Sequence, residues 1–416
     1  VFTTRILTET RGDLLSRFYT LPGTLPSFVP MAAIGEHGGI QLEQVKALDD
    51  IGDRYTYFAD GDVVVAKITP CFENGKGAFA EGLKNGIAFG TTELHVIRPA
   101  KEIDGRFLFY LSISELFRNL GEGAMYGAGG QKRVPDQFIK DFQALLPPLD
   151  QQKIIAAFLD RKTAEIDTLT AKKRRLRDRL AEKRIALITR AVTKGLNPDA
   201  PMKDSGIEWL GEIPAHWKCV RLRFMADVGP SAKGLVIGED AEISFVPMAN
   251  VGVCGGLTLE QTKTLSDVTD GYTYFANDDI LVAKITPCFE NGKGALAEDL
   301  LNGVGFGTTE LYVVRPKSLI SPRLMFYITI SDAFRKVGEG AMYGAGGQKR
   351  VPEIFVKDFP IPVPPSYEQE EIVDFLLREE RRFETIRSKV LSVIEKLQEY
   401  RSALITNAVT GQIKVA

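Results

Sequence analysis

A long internal repeat limits what this sequence can fold into. Residues 55–99 recur as residues 272–316, and the same offset of 217 positions aligns residues 121–135 with 338–352 without any insertion. The repeats of solenoid proteins are about 20–50 residues long. A unit that spans roughly half of the chain therefore indicates a duplicated domain, and the function of the protein must use two similar domains.

Composition excludes several classes of protein. The chain of 416 residues is 44% hydrophobic and 25% charged, and its net charge of −2 excludes a uniformly basic protein. A local basic patch would still be sufficient for nucleic-acid binding. No apolar run approaches the about 18 residues of a membrane span, and no secretory signal is visible at the N-terminus. We therefore expect a soluble, cytoplasmic protein that has no membrane partner.

The cysteines and histidines do not form a metal-binding or disulfide pattern. Of the four cysteines, Cys71 and Cys288 are repeat equivalents, and none belongs to a Cys-x-x-Cys pair. The three histidines are scattered along the chain. Zinc sites and disulfide frameworks depend on closely spaced ligands or regular cysteine patterns. We therefore expect no metal site and no cofactor.

Each copy is predicted to consist of a globular domain followed by a long helix. Residues 63–68 and 93–98 are apolar segments bounded by turn residues, which is typical of strands. Residues 107–120 have apolar side chains at helical spacing, and Gly121 follows them. Residues 149–193 contain neither proline nor glycine, and the equivalent segment of the second copy extends to about Val409.

The predicted fold is α+β, with two similar mixed α/β domains, two long helices that form an antiparallel coiled coil, and a pseudo-two-fold axis. Paired copies tend to be related by such an axis, which would place the domains at opposite ends of the helices. The proline-rich linker is expected to have little regular structure, with Trp209 and Trp217 docked at its end. The chain starts at Val1 and has no first-copy counterpart of residues 202–217, so we expect part of the natural N-terminus to be missing. The predicted boundaries are a first domain at 1–148, a first helix at 149–195, a linker at 196–217, a second domain at 218–365 and a second helix at 366–416.

Apolar residues at heptad spacing predict which face of each long helix is buried. Lys173 and Lys183 occupy two places of this spacing in the first helix. Each seam needs a partner, and the other helix is the nearest one. The predicted seam comprises Ile166, Leu169, Leu176, Leu180 and Leu187 in the first helix, and Phe383, Ile386, Val390, Val393, Leu397, Tyr400 and Leu404 in the second.

Basic and amide side chains in or beside the glycine-rich segments are candidates for DNA contacts. Lysine and arginine neutralise phosphates, whereas Gln, Asn and Arg can recognise base edges in the major groove. Any one of these residues could instead belong to an ordinary solvated surface; we interpret the cluster as a whole as a DNA-binding site. The candidates are Lys67, Asn74, Lys76, Tyr126, Gln131, Lys132 and Arg133 in the first copy, and Lys284, Asn291, Lys293, Tyr343, Gln348, Lys349 and Arg350 in the second.

The sequence lacks the usual catalytic motifs of DNA-dependent motors and DNA methyltransferases. There is no Gly-x-x-x-x-Gly-Lys-Ser/Thr motif of a nucleotide-driven motor and no Asn/Asp-Pro-Pro-Tyr/Phe motif of an adenine methyltransferase. Pro70-Cys71 matches the nucleophilic Pro-Cys pair of cytosine-C5 methyltransferases, but a reactive thiolate needs an activating group. We interpret Cys71 and Cys288 as small structural residues at a strand end.

Four segments resemble the specificity (S) subunit of a type I restriction-modification enzyme. They are KITPCFENGKGA (residues 67–78), GGQKRV (129–134), LPPLDQQKII (146–155) and KDSGIEWLGEIPAHW (203–217). The resemblance spans nearly the whole chain, although the two domains are more alike than in many relatives. It implies that each domain is a target-recognition domain for one half of a bipartite site in double-stranded DNA.

The resemblance also implies partners and a division of labour. The coiled coil would set the spacing of the half-sites and dock two methyltransferase subunits, which supply S-adenosylmethionine chemistry. Separate motor-nuclease subunits would cut unmodified DNA, and this chain would have no catalytic residues. Near-identical domains favour a palindromic or nearly palindromic target. Two alternatives stay open: a duplicated DNA methyltransferase or nuclease with its own catalytic centre, and a structural protein that binds only other proteins.

Overall fold

A computed structural model of the chain describes residues 25–36, 38–47, 50, 55–128, 130–345 and 347–415. The chain divides into two compact units. The first comprises residues 1–174 and 391–416, and the second comprises residues 175–390. Each unit therefore combines one globular domain with a part of each long helix.

The described residues of the first globular domain form two small sheets. In the first sheet, β1 pairs with β5 in parallel and β5 pairs with β2 in antiparallel orientation. In the second sheet, β3 lies between β4 and β6 and is antiparallel to both. The central strand β3 is buried along its whole length, as its run of β-branched residues predicts. The strands are β1 (Ser27–Val29), β2 (Thr56–Ala59), β3 (Val63–Ala66), β4 (Gly77–Phe79), β5 (Ile87–Gly90) and β6 (Leu94–Ile97).

The predicted helix at residues 107–120 is two helices rather than one. Helix α1 ends at Ser112 and α2 begins at Glu115. Ser114 separates them because its hydroxyl accepts a hydrogen bond from the backbone amide of Phe117, the usual role of a serine N-cap. The helices of this unit are α1 (Gly105–Ser112), α2 (Glu115–Gly123), α3 (Asp136–Asp141) and the first part of α4 (Leu149–Lys194).

The second unit repeats this domain and adds strands to it. Strand β14 is paired with β17 in the register that β3 has with β6, so that Ile280 faces Val314 as Val63 faces Ile97. The sheet orders are β10-β17-β14-β15, β12-β11-β16-β13, β18-β9 and β7-β8. The strands are β7 (Met202–Asp204), β8 (Glu212–Pro214), β9 (Lys218–Arg221), β10 (Ala226–Val228), β11 (Glu242–Val246), β12 (Thr262–Thr264), β13 (Thr273–Ala276), β14 (Ile280–Ala283), β15 (Gly294–Leu296), β16 (Val304–Gly307), β17 (Leu311–Pro316) and β18 (Pro360–Val363). The helices are α5 (Pro322–Ile330), α6 (Asp332–Ala341), α7 (Glu353–Asp358) and the first part of α8 (Ser366–Val409).

The linker at 196–217 has more structure than the sequence predicted. Strands β7 and β8 pair in antiparallel orientation within it. Trp217 is fully buried, and its indole nitrogen donates a hydrogen bond to Glu368 at 2.7 Å. Trp209 stacks on Phe359 with 4.9 Å between the ring centroids. Both tryptophans thus dock, and they anchor the linker to the second unit.

Within each unit, α4 and α8 pack in antiparallel orientation. In the first unit Asp167 pairs with Arg401 at 3.0 Å, while Leu159, earlier in α4, shares a core with Ile405, later in α8. In the second unit Arg184 pairs with Glu380. Ile188, later in α4, shares a core there with Leu376, earlier in α8.

The buried face of the long helices follows the predicted seam only in part: eight of its twelve residues are buried or half-buried, and four are exposed. Leu169 exposes 41% of its surface, while its neighbour Thr170 is buried; Tyr400 exposes 56%, while Arg401 exposes only 6%. The face is shifted because the helices also pack against the globular domain, where Thr163 lies 3.2 Å from the hydroxyl of Tyr110. Ile166, Val390 and Leu404 are buried, Leu180, Leu187, Phe383, Ile386 and Leu397 are half-buried, and Leu169, Leu176, Val393 and Tyr400 are exposed.

None of the helices in the described ranges combines the length and the apolar character that crossing a membrane requires.

The contact between α2 and Phe72 gives a test of the packing. A β-carbon at Gly121 would lie 2.3 Å from the ring of Phe72, whereas one at Gly123 would meet no atom within 4 Å. Gly121→Ala should destabilise the first unit by about 1–3 kcal/mol, because the added methyl overpacks the core. Gly123→Ala should leave stability unchanged or raise it slightly, because alanine favours the helix. Calorimetry of the full chain measures both, and equal melting temperatures for the two variants would contradict the packing.

Candidate nucleic-acid interface

A glycine-rich hairpin loop projects from each globular domain. This Gly-rich loop spans residues 126–134 in the first unit and 343–351 in the second, and all but Gly129 and Gly346 are described. Tyr126 closes the first loop: its amide donates to the carbonyl of Arg133 at 3.1 Å, and its carbonyl accepts from the amide of Arg133 at 2.9 Å. Gly127 has φ +141°, and a β-carbon there would lie 2.4 Å from the carbonyl oxygen of Gln131. The tight hairpin therefore requires glycine at this position.

The Gly-rich loop is fastened to the connection between β3 and β4. The hydroxyl of Thr69 donates to the carbonyl of Lys132 at 3.1 Å and accepts from the amide of Lys132 at 3.3 Å. The amide of Val134 donates to the carbonyl of Lys67 at 2.8 Å. The second unit repeats the bonds of Thr286 with Lys349 at 3.0 and 3.1 Å. Both loops are thus held against the segment that follows a buried strand.

An arginine–glutamate pair braces the base of each loop. The Nε and Nη2 of Arg133 donate to the two carboxylate oxygens of Glu93, both at 2.9 Å. Arg350 makes the same two bonds to Glu310, at 3.0 and 2.7 Å. The hydrogen bonds from the arginines lower the pKa of both Glu93 and Glu310. Two parallel hydrogen bonds of this kind fix the orientation of the guanidinium group. Arg133 and Arg350, which the sequence predicted as DNA contacts, therefore serve first to hold the loop.

Other predicted contact residues are also engaged within the domain. The amines of Lys76 and Lys293 donate to the carbonyls of Met31 and Met248, at 3.3 and 2.9 Å. The amine of Lys284 lies 5.1 Å from the ring centre of Tyr312. Lys67 is half-buried, whereas Asn74 and Asn291 are exposed.

Three predicted residues of each Gly-rich loop are presented to solvent. Tyr126 and Tyr343 expose 65% and 66% of their surfaces. Gln131 and Lys132 are also exposed, as are their counterparts Gln348 and Lys349. An amine can pair with phosphate, an amide can donate and accept at a base edge, and an aromatic ring can stack. Each loop therefore offers three different chemistries on one braced hairpin.

A ring, which the sequence patterns did not identify, supports the last residue of each Gly-rich loop. The Nε2 of the buried His95 lies 3.0 Å from the carbonyl of Val134, and its Nδ1 lies 3.1 Å from Asp136. Burial lowers the pKa of His95. In the second unit the hydroxyl of Tyr312 donates to the carbonyl of Val351 at 2.8 Å, and burial raises the pKa of Tyr312 to about 12. A ring-bearing side chain stands at both of these equivalent repeat positions, and this was the signal available in the sequence.

Within the described ranges, no group of three or more His, Cys, Asp or Glu side chains could hold a metal ion. Cys71 and Cys288 are half-buried free thiols. They lie in the turns that connect β3 to β4 and β14 to β15, not at the strand ends that the sequence predicted. The exposed tyrosine, glutamine and lysine of each Gly-rich loop are suited to binding a nucleic acid.

The brace at Glu93 predicts a measurable shift in titration. Arg133→Met should raise the pKa of Glu93 towards its ordinary value of 4.5, because the variant removes the hydrogen bond that stabilises the carboxylate. The pair stabilises the folded unit above that value, and this contribution is lost as the pH falls. Carboxyl ¹³C NMR of labelled glutamate, assigned with Glu93→Gln, measures the shift. Lys132→Met is the matched control and should leave the titration unchanged; an unchanged titration in Arg133→Met would contradict the brace.

The family model for the type I restriction modification DNA specificity domain matches residues 46–177 and 214–396. The specificity subunit of the type I restriction enzyme EcoAI from Escherichia coli is 45% identical over 164 residues, which are 39% of this chain and 28% of that protein. The MjaVIII specificity subunit of Methanocaldococcus jannaschii is 24% identical over 342 residues, which are 80% of this chain and 75% of that protein. The chain thus spans less than a third of the length of the EcoAI subunit that it matches.

Two solved structures have a similar fold. A chain from a study of complex assembly and conformational transition of the type I R-M system superposes with a TM-score of 0.72 at 16% identity, over 99% of this chain and 97% of that one. The HsdS subunit from Thermoanaerobacter tengcongensis has a TM-score of 0.52 at 18% identity, over 99% and 96% of the two chains. Since the family model matches more than half of the chain and the fold agrees, this protein belongs to the type I restriction-modification DNA specificity family.

Proposed function

We propose that this chain is the DNA sequence-specificity subunit of a type I restriction-modification system. Each globular domain recognises one half of a bipartite site in double-stranded DNA. The observation that carries this proposal is the exposed set of Tyr126, Gln131 and Lys132 on a braced loop, repeated as Tyr343, Gln348 and Lys349. A rigid loop is favoured for recognition because little conformational entropy is lost when it binds.

The three side chains have different roles in this proposal. Lys132 and Lys349 contact phosphates, which positions the loop but carries no sequence information. Gln131 and Gln348 recognise a base edge, and adenine suits them because it presents adjacent donor and acceptor atoms in the major groove. The two tyrosines add contacts to the sugar or to a base face.

The duplication sets the symmetry of the target. Paired copies of a domain tend to be related by a two-fold axis, and near-identical domains in that arrangement would recognise near-identical half-sites in inverted orientation. The proposed target is therefore a split, nearly palindromic sequence. Helix α4 has 46 residues, so it is about 69 Å long at roughly 1.5 Å per residue. One turn of DNA is about 34 Å. A separation on the scale of the helix leaves several base pairs between the half-sites unrecognised.

The long helices also dock two methyltransferase subunits in this proposal. The exposed apolar side chains of Leu169, Leu176, Val393 and Tyr400 support a protein partner on these helices. The methyltransferase subunits bind S-adenosylmethionine and modify adenine, motor-nuclease subunits join the full complex, and this chain itself is not catalytic. We place the assembly in the cytoplasm with the DNA that it modifies.

Substitutions in the Gly-rich loops separate base recognition from phosphate contact. Gln131→Ala and Gln348→Ala should each relax specificity at one position of the target. Lys132→Ala should weaken binding evenly across sequences and reduce the slope of log affinity against log salt by about 1. The full chain, assembled with its methyltransferase subunits, is titrated with duplex DNA at several salt concentrations. Lys101→Ala, an exposed lysine outside the loop, is the control, and an equal salt slope in both lysine variants would contradict the assignment.

Methylation mapping tests the symmetry of the target. The methylated sites of the host genome should share one split motif with nearly identical, inverted half-sites. Two unrelated half-sites would contradict the proposal. Methyl transfer from labelled S-adenosylmethionine by the purified chain alone would favour an enzyme with its own catalytic centre instead.

A further inference from the structure

A second turn beside each Gly-rich loop differs between the two units in one informative way. This Gly-Gly turn comprises the described residues 34–36 and 38–40, and residues 251–257 in the second unit. The hydrogen bond that closes the turn is the same in both: the amide of Gly35 donates to the carbonyl of Gly39 at 3.1 Å, and the amide of Gly252 donates to that of Gly256 at 2.9 Å. The flanking bridges, Ile34 with Ile40 and Val251 with Leu257, also match.

The Gly-Gly turn packs on the same β3–β4 connection that holds the Gly-rich loop. The side-chain amide of Asn74 donates to the carboxylate of Glu36 at 3.3 Å, and the backbone amide of Asn74 donates to the carbonyl of Pro70 at 3.0 Å. Pro70 adjoins Thr69, which is bonded to Lys132. Glu36, Asn74, Pro70 and Lys132 are all exposed, and these hydrogen bonds link the segments that carry them into one surface strip.

The second unit has the same strip with one change of chemistry. Val253 occupies the position of Glu36 and exposes 58% of its surface. The turn again contacts the connection, because the amide of Cys254 donates to the carbonyl of Gly292 at 2.8 Å. The backbone pairing at this position differs, since Glu36 forms a bridge with Gly38 and Val253 forms one with Lys293. Because Val253 is exposed, no buried core requires the exchange of a carboxylate for an apolar side chain.

A carboxylate on a surface that faces DNA contributes mainly to specificity, because most DNA groups repel it. It repels phosphates and base acceptors, and it is favourable only where a base presents an amino donor, which cytosine does through N4. Valine has no such requirement and can contact the methyl group of thymine. Specificity often depends on an unfavourable contact with the wrong partner as well as a favourable contact with the right one.

We propose that the Gly-Gly turns are second DNA-contacting elements, and that Glu36 and Val253 make the two half-sites unequal at one base pair. The half-site bound by the first domain presents cytosine to Glu36, and the other half-site presents thymine to Val253. This inference rests on the proposed function and sharpens it: the target is inverted and nearly symmetric, and it departs from symmetry where these two residues face it.

Exchanging Glu36 and Val253 between the two units tests the inference. Each side chain already occurs at the equivalent position of the other unit. The full chain, assembled with its methyltransferase subunits, selects sites from a duplex library with two randomised blocks. Glu36→Val should shift one position of the first half-site from cytosine to thymine, by roughly tenfold in preference. Val253→Glu should cause the opposite shift in the second half-site, and the double exchange should exchange the two half-sites. Melting temperatures should stay unchanged, because both positions are exposed.

Glu43→Val is the matched control, since Glu43 is exposed and its counterpart Glu260 is the same residue. This variant removes the same charge and should leave both half-sites unchanged. Identical half-sites in the wild-type selection, or unchanged half-sites after both exchanges, would overturn this inference while the proposed function stands. A wild-type assembly that enriches no split motif would overturn the proposed function and this inference together.

Discussion

The attachment of each glycine-rich hairpin to the segments that flank two strands of the domain is the constraint on which the rest of the site depends. A hairpin that contains several glycines would otherwise lose much conformational entropy whenever it became ordered. Thr69 bonds both backbone groups of Lys132, and Arg133 forms a two-pronged pair with Glu93. These bonds occupy backbone and guanidinium groups so that Tyr126, Gln131 and Lys132 can remain exposed on a fixed frame.

The hydrogen bonds that hold the Gly-rich loop are the same in both copies, whereas some side chains around the loop differ. The bonds of Thr286, Arg350 and Glu310 repeat those of the first unit within a few tenths of an ångström. The differences lie at positions where the frame tolerates a new side chain. His95 becomes Tyr312 beneath the loop and still reaches the same carbonyl. Glu36 becomes Val253 at the surface, in a turn that keeps its closing hydrogen bond.

The sequence predicted the architecture well because the signals were long and redundant. Two copies of each strand and helix pattern, and two proline-bounded helices of more than 40 residues, agreed with each other. The buried face of the helices could not be predicted, since Thr163 and Arg401 are buried through contacts that only the folded chain defines. The sequence also could not predict which candidate residues hold the loop in place and which are exposed to solvent. Arg133 and Lys132 are adjacent basic residues, and only the position of Glu93 distinguishes them.

The central claim is that the Gly-rich loops contact the bases of the two half-sites. Photo-crosslinking tests it most directly, with p-benzoylphenylalanine in place of Tyr126 or Tyr343 in the assembled complex on a duplex that the complex selects. Tyr367, an exposed tyrosine at the start of α8, is the comparison position. The account predicts crosslinks from positions 126 and 343 to bases, each in a different half-site, and none from position 367. Bound complexes that form no crosslinks from either loop would contradict it.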